Sequence, residues 1–385
     1  MKKTLTENER IARRNYYLMI AEGASFWIAA SFIDGNAVIS VFISEATGSL
    51  QLAGLAAALR SAMTIVAQFL LGMVIMNVSN FGRAMHTIAF SSRWVIALMA
   101  PLLLMGVTGT PAAICVIVLV SLFFFSDGLV GLFWTEIGAR TVPPRPRAAI
   151  QGYQQVFGGI AGLGAAFVVK ALMDAPTLTF AQRYAWIFGM CGGVYFLNMF
   201  LLYGIRDFPR EKIQHWERVR LVPYLRSFVE LWRADGNFRR IMYGRILYVV
   251  SSMVSSLIVL FGSSRGNLTP TQISSMLYIQ VIGQIIGGFA WVRVTKKWGN
   301  TALMVISHVL PVLIAVLGIA VHFIGPATGR SCFGFVAVMV LMAGMNLSAW
   351  LGYAHRVIDT VDPKKRTGYL VLQSIIQFPF TFCSY

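Results

Sequence analysis

Thr141-Val-Pro-Pro-Arg-Pro-Arg147 decides how this chain is read, because it occurs twice. The second copy, Thr360-Val-Asp-Pro-Lys-Lys-Arg366, follows 219 positions later. Both read Thr-Val-x-Pro-basic-x-Arg, and both stand between long apolar runs. Thirteen residues after each Thr comes the same amide, Gln154 and Gln373. Upstream, Gln68-x-x-x-Gly72 is answered by Gln284-x-x-x-Gly288, and Phe81-Gly82 by Trp298-Gly299. Three matches in chain order at a nearly constant offset mark a duplicated half.

The solvent for such a chain follows from composition. Of 385 residues, 57% are hydrophobic and 12% charged, where soluble domains carry about 25% charged residues. That much apolar side chain needs a bilayer around it. A net charge of +17 would point to nucleic acid in a soluble protein. Here the basic residues sit in short connectors between apolar runs, which is a topology signal and excludes a nucleic-acid partner. Cys115, Cys191, Cys332 and Cys383 all fall inside apolar runs without paired or metal-ligand spacing, so neither a disulfide framework nor a metal site is expected. Residues 1–18 are basic, but the apolar run behind them is too long for a cleaved signal and has no small-x-small exit. It reads as a first span that stays in the membrane.

Runs of spanning length, about 20 residues each, fall at 19–43, 50–77, 84–106, 112–138, 149–173, 183–204, 241–263, 271–293, 301–324, 332–356 and 367–385. Alternate connectors hold 26 Lys and Arg on one side and four on the other. That asymmetry predicts a multi-pass protein of the cell (plasma) membrane with a cytoplasmic N-terminus. Three units follow: a six-span bundle over 1–204, a cytoplasmic linker over 205–240, and a second bundle over 241–385. In the linker, Leu225, Phe228, Val229 and Trp232 share one helical face behind Pro223. This predicts an amphipathic helix, either on the membrane surface or clear of lipid. If the second bundle copies the first, its last helix is missing, since the chain ends within the eleventh run.

Two six-span halves, a long basic central loop and matching basic connectors after the fourth and tenth spans resemble the major facilitator superfamily of secondary transporters. In that family the connectors between spans two and three, and eight and nine, carry Gly-x-x-x-Asp-basic-x-Gly-basic. Here Gly82-Arg83 and Gly299 keep its end, while Ser79 and Lys296 replace the acidic residue. The fifth span has Gly158, Gly159, Gly162 and Gly164 but lacks the proline of the drug-antiporter pattern. The resemblance implies an all-α integral membrane fold of two pseudo-symmetric six-helix bundles rocking about a site near the midplane. It also makes Arg83, Arg145, Arg147, Lys364 and Arg366 candidates for the gating connectors. Independently of it, Pro143, Pro144 and Pro146 end the fourth span sharply, and Gly158-x-x-x-Gly162 and Gly283-x-x-x-Gly287 suit close helix packing.

Four charges lie inside spans: Asp34, Arg60, Arg93 and Asp127. Each costs around 2.5–3.5 kcal/mol to insert and needs a partner or a purpose. Helical rise puts Asp34 and Arg60 about 15 Å below the outer surface, and Arg93 and Asp127 about 13–14 Å from the inner one. Two opposite-charge couples at matched depth follow. Phe32-Ile-Asp34-Gly35 also parallels Phe125-Ser-Asp127-Gly128, as a three-plus-three inverted repeat requires. Two roles stay open for the couples: binding a proton, cation or substrate, or fixing helix packing. Gln154, Gln280, Gln284, Asn346, Gln373 and Gln377 are candidates to line a polar cavity, or to hydrogen-bond between helices. Glu22 and Glu136 fall near the inner interface and read as solvated carboxylates, Trp134 as an interface anchor, and His308 as the partner of a carbonyl freed by Pro311.

These features suit a monomeric secondary transporter of a small solute coupled to a proton, with membrane lipid as its other partner and no cofactor. A non-transporting sensor or scaffold on the same fold is the alternative. Direct ATP use is unsupported without a Gly-x-x-x-x-Gly-Lys-Ser/Thr loop, and a membrane-embedded enzyme is disfavoured, because the five histidines are scattered and neither a His-x-x-x-His nor an acidic cluster is present.

Overall fold

The computed structural model describes residues 6–33, 38–208, 220–268, 270–328, 331–346, 349, 351–362 and 365–382. The ordered elements among them are helical. The first expected span is α1 (Glu7–Phe32) followed by α2 (Ser40–Thr47). The second is α3 (Leu50–Val74), and the third is α4 (Phe81–Ser92), a 3-10 segment (Val95–Leu98) and α5 (Met99–Leu104). Then come α6 (Gly109–Thr141), α7 (Pro144–Met173) and α8 (Phe180–Gly204), and after them the linker helix α9 (Leu221–Ala234). The second half consists of α10 (Gly236–Arg265), α11 (Pro270–Thr328), α12 (Phe333–Asn346), α13 (Leu351–Thr360) and α14 (Arg366–Phe382).

Local chemistry sets these boundaries. Thr6 and Thr179 open α1 and α8 with capping boxes completed by Glu9 and Gln182. Asn80 caps α4 through the Arg83 amide at 2.7 Å, and Asp235 caps α10 through the Phe238 amide at 2.9 Å. Pro144 occupies the first turn of α7, where its missing amide costs nothing. Within α11, Tyr278–Ile324 is an apolar stretch of 47 residues, about 70 Å of helix against a hydrocarbon core of about 30 Å. Gly299 interrupts it with φ 78° and ψ 180°, backbone that a side chain would strain. The element therefore holds the eighth and ninth expected spans, with the turn at the glycine of the duplicated Trp298-Gly299.

Apolar side chains are distributed as lipid requires. Leu104, Leu197, Phe167 and Phe323 are all more than 60% exposed on the helix surfaces, a pattern that water would not tolerate. Buried apolar residues form three clusters. One joins both halves at the end carrying the N-terminus and linker, running from Met19, Phe133 and Ile137 to Met242, Tyr353 and Val371. At the opposite end the first half keeps its own cluster around Phe42, Phe123 and Tyr184. The second half has another around Met276, Val321 and Val336. The halves are thus packed together at the basic end and separately cored at the other.

The linker helix does not use the whole apolar face that the sequence offers. Tyr224 and Phe228 are buried against Phe69 of α3, with ring centroids 5.4 and 6.4 Å away. Leu225 and Val229 are exposed. The α9 helix is docked on protein, and burial pushes the Tyr224 phenol above its usual range. Its neighbours come from both halves: Gly72 and Ile75 on one side, Gly368 and Tyr369 on the other.

Candidate functional site

The third span yields to 3-10 geometry immediately after Arg93, whose amide closes α4 on the Ala89 carbonyl at 2.9 Å. This break is local, and it places the guanidinium inside the first bundle at 2% exposure. Arg93 Nη1 donates to Asp127 Oδ1 at 2.9 Å, and Nη2 lies 4.0 Å from Glu22 Oε1. Rings of Phe26, Phe123 and Tyr195 surround it at 5.3, 5.4 and 5.7 Å from the guanidinium carbon, where cation–π attraction is worth about 2 kcal/mol once water is excluded. Asn198 of α8 completes the cluster, donating to the Glu22 carbonyl at 2.7 Å and to Ser25 Oγ at 2.8 Å. The couple expected from depth, Arg93 with Asp127, is present. Glu22 is not the solvated carboxylate that its position suggested, because only 5% of it is exposed. Helical depth alone could not reveal this, since it does not say which way a side chain faces.

The other expected couple is Asp34 with Arg60. Asp34 lies outside the described residues. Arg60 is half-buried, with its guanidinium 4.5 Å above the Phe124 ring.

At the basic end the duplicated motif closes on itself crosswise. Arg147, the last residue of the first copy, is ion-paired with Asp359, the residue before the second copy. Arg366, the last residue of the second copy, lies 3.7 Å from Glu136, five residues before the first. Asn300 Nδ2 donates to the free oxygen of Asp359 at 3.0 Å, and Thr367 Oγ1 donates to Glu136 Oε1 at 3.0 Å. Arg140 adds contacts to Glu136 at 3.9 Å and Asp207 at 3.2 Å. Arg147 and Arg366 are 7% and 8% exposed and Glu136 is 4% exposed, so the Arg366 pair is shielded from solvent, whereas Asp359 of the other pair is exposed. Breaking a buried pair such as Arg366 with Glu136 costs about 3–5 kcal/mol. Neither acidic partner belongs to the repeated motif, which is why sequence singled out the arginines and missed Glu136 and Asp359. Glu136 is the second carboxylate read as solvated that turns out to be buried, at 4% exposure.

Of the remaining gating candidates, Arg83 is exposed, and its amide takes the Asn80 cap. Lys364 lies outside the described residues, as does the side chain of Arg145.

Beside the crosswise pairs is a cavity of about 280 Å³ between the halves. The first half contributes Gln68, Trp134, Arg147 and Gln151, and the second Arg245, His355, Gln373 and Ser374. Ser374 Oγ donates to Gln68 Oε1 at 2.7 Å across the seam. Gln373 was expected here. Its repeat partner Gln154 instead donates to the Met19 carbonyl at 2.6 Å and ties α7 to α1. Trp134 lines the cavity and is not an interface anchor. Gln280 and Gln284 are half-buried on α11 and are not among the lining residues. Asn346 is buried, its carbonyl accepting from Tyr248 Oη at 2.7 Å, and Gln377 is half-buried farther along α14. His308 pairs with Tyr353 Oη and not with a carbonyl near Pro311.

No protein-family model matches the chain, and no curated protein matches it by sequence. Solved structures do. A major facilitator superfamily proton:xylose symporter, bound to 6-bromo-6-deoxy-D-glucose, aligns with TM-score 0.69 over 98% of this chain and 88% of that one, at 14% identity. This chain has the major facilitator fold. A bacterial homologue of the iron transporter ferroportin, in an outward-facing state, gives 0.66 over 99% and 91% at 14% identity. The human organic anion transporter gives 0.65 over 99% and 92% at 13% identity. The major facilitator architecture accounts for the two halves, the duplicated connectors and the polar seam between them.

Proposed function

We propose that the protein is a secondary active transporter that moves a small solute by alternating access and couples the movement to a proton. The observation that carries the proposal is the crosswise pairing of Arg147 with Asp359 and Arg366 with Glu136. Two bundles fastened at one end by reversible ion pairs, and cored separately at the other, can exchange one closed end for the other. A static scaffold has no use for buried charge at its seam when apolar packing would hold it as well or better.

In this reading residues 1–204 and 241–385 are the moving bundles and 205–240 the tether. The basic end faces the cytoplasm, the N-terminus with it, and the protein acts as a monomer in the plasma membrane. Fold-level likeness leaves the solute open, since the similar proteins are described as handling a sugar, iron and organic anions. Proton coupling rests on the first bundle's cluster. Glu22 and Asp127 share the single guanidinium of Arg93, so the cluster is electrically neutral when one proton is aboard. Asp127 is the more accessible acid, with 22% of its side chain exposed against 7% for Glu22.

The test is uptake into proteoliposomes under an imposed pH gradient, with radiolabelled xylose, pyruvate and phosphate as probes. Wild type should accumulate one of them, and Asp127→Asn should abolish accumulation while leaving exchange of labelled for unlabelled solute intact. Gradient-driven uptake that survives Asp127→Asn removes that residue from coupling. Absence of any flux favours the scaffold alternative.

A further inference from the structure

The described lining of the inter-bundle cavity is basic and amide-rich, and it contains no carboxylate. Arg147 and Arg245 reach it from opposite halves, at 7% and 8% exposure. Neither ring nitrogen of His355 has a hydrogen-bond partner among the described residues, although the side chain is 94% buried, at 6% exposure. The same holds for Arg147 Nε and for the side-chain oxygens of Gln151 and Gln373. Buried polar groups are normally satisfied, and orphans gathered around one void are a site awaiting a ligand. Asp359 and Glu136, the carboxylates of the crosswise pairs, are already engaged by Arg147, Arg366, Asn300 and Thr367.

We infer that this cavity binds a small oxoanion, a carboxylate or a phosphate. Guanidinium groups match such anions in shape and charge: Arg245 lines the void from the second half, and Arg147, whose terminal nitrogens hold Asp359 and the Ala139 carbonyl, offers its Nε–H. The imidazole N–H and the amides, which can rotate to donate, would complete the shell. At about 280 Å³ the cavity lies just below the range of about 300–1,000 Å³ usual for drug-sized ligands, so the anion is small. The inference rests on the transport reading in taking this cavity as the solute's own site. It adds a substrate class that the fold does not supply.

The experiment uses the purified full chain in detergent at fixed ionic strength, with unfolding followed by tryptophan fluorescence. Pyruvate and inorganic phosphate are the two anion probes, glucose and choline chloride the controls. One of the anions should raise the melting temperature saturably while the controls do not, and the one that does identifies the headgroup chemistry. Arg245→Gln should raise the half-saturating concentration at least about tenfold, the order expected for losing a charge-assisted hydrogen bond. Arg245→Lys should recover part of this, and His355→Gln provides an independent variant should the first pair fold poorly. Stabilisation by neither anion, or equal stabilisation by glucose, overturns the inference. Flux separates it from the transport reading. Saturable anion binding without anion flux sinks transport and keeps the site, whereas xylose flux without anion binding does the reverse.

Discussion

Arg93 shows how one residue organises a bundle in a solvent that cannot solvate it. Its guanidinium answers two carboxyl groups and three aromatic rings at once. Removing it strands the buried Glu22 and leaves Asp127 without its guanidinium partner. Arg93→Leu should therefore lower stability by about 3–5 kcal/mol, read as a fall in melting temperature in detergent. The triple change Arg93→Leu, Glu22→Gln, Asp127→Asn should regain most of that loss. If the triple variant is as unstable as the single one, the aromatic cage and not the ion pairing holds the site. The same scale shows how a repeat diverges. Gln154 and Gln373 occupy matching positions, yet one ties α7 to α1 while the other faces the void between halves. A sequence repeat reports common backbone position and says nothing of the partner each side chain finds.

At the level of elements, the seam between bundles depends on how closely α7 and α11 approach. A Cβ on Gly288 would sit 2.9 Å from the Gly152 carbonyl oxygen and 2.8 Å from a Val156 methyl, closer than packed atoms allow. Gly288→Val should push these helices apart at the basic end. A cysteine placed at Gln151 should then react with a membrane-impermeant maleimide added from that side, and should react only slowly without Gly288→Val. Unchanged labelling would mean that the seam is closed by other contacts. The Gly-x-x-x-Gly pairs noted in the sequence do different work. Gly158 and Gly162 pack on Trp27 and Ser31 of α1, and Gly283 and Gly287 on Leu341 and Met345 of α12. Each tightens a bundle from within. The linker helix α9 is a further element of which the sequence showed only part. Its apolar face was legible, but Phe228 turns to α3 while Leu225 and Val229 stay exposed.

Across the whole molecule, the crosswise pairs and the joined core at one end define a closed side, and the separate clusters define a parted one. The ion pairs act between bundles, so their effect should fall on the balance between states more than on folding. On the transport proposal, Arg147→Asp should slow solute exchange, and Asp359→Arg added to it should recover part of that exchange by re-forming the pair with reversed polarity, while the Arg147 contact to the cavity stays lost. Pairs in direct contact couple by about 0.5–3 kcal/mol in such cycles. Additive loss in the double variant would show that the two residues act separately.

Hydropathy, charge bias and the repeat determined the membrane environment, the duplicated plan and the depth at which Arg93 meets Asp127. Each of these is a property of position along a helix axis, which the 1.5 Å rise converts directly from residue number. Only tertiary structure decided the burial of Glu22 and Glu136, the choice of Asp359 for Arg147, the place of Trp134 and the basic cavity. These depend on which side of a helix faces inward. In lipid the outside of a bundle is as apolar as its core, so hydrophobic periodicity carries little of that information and packing has to supply it.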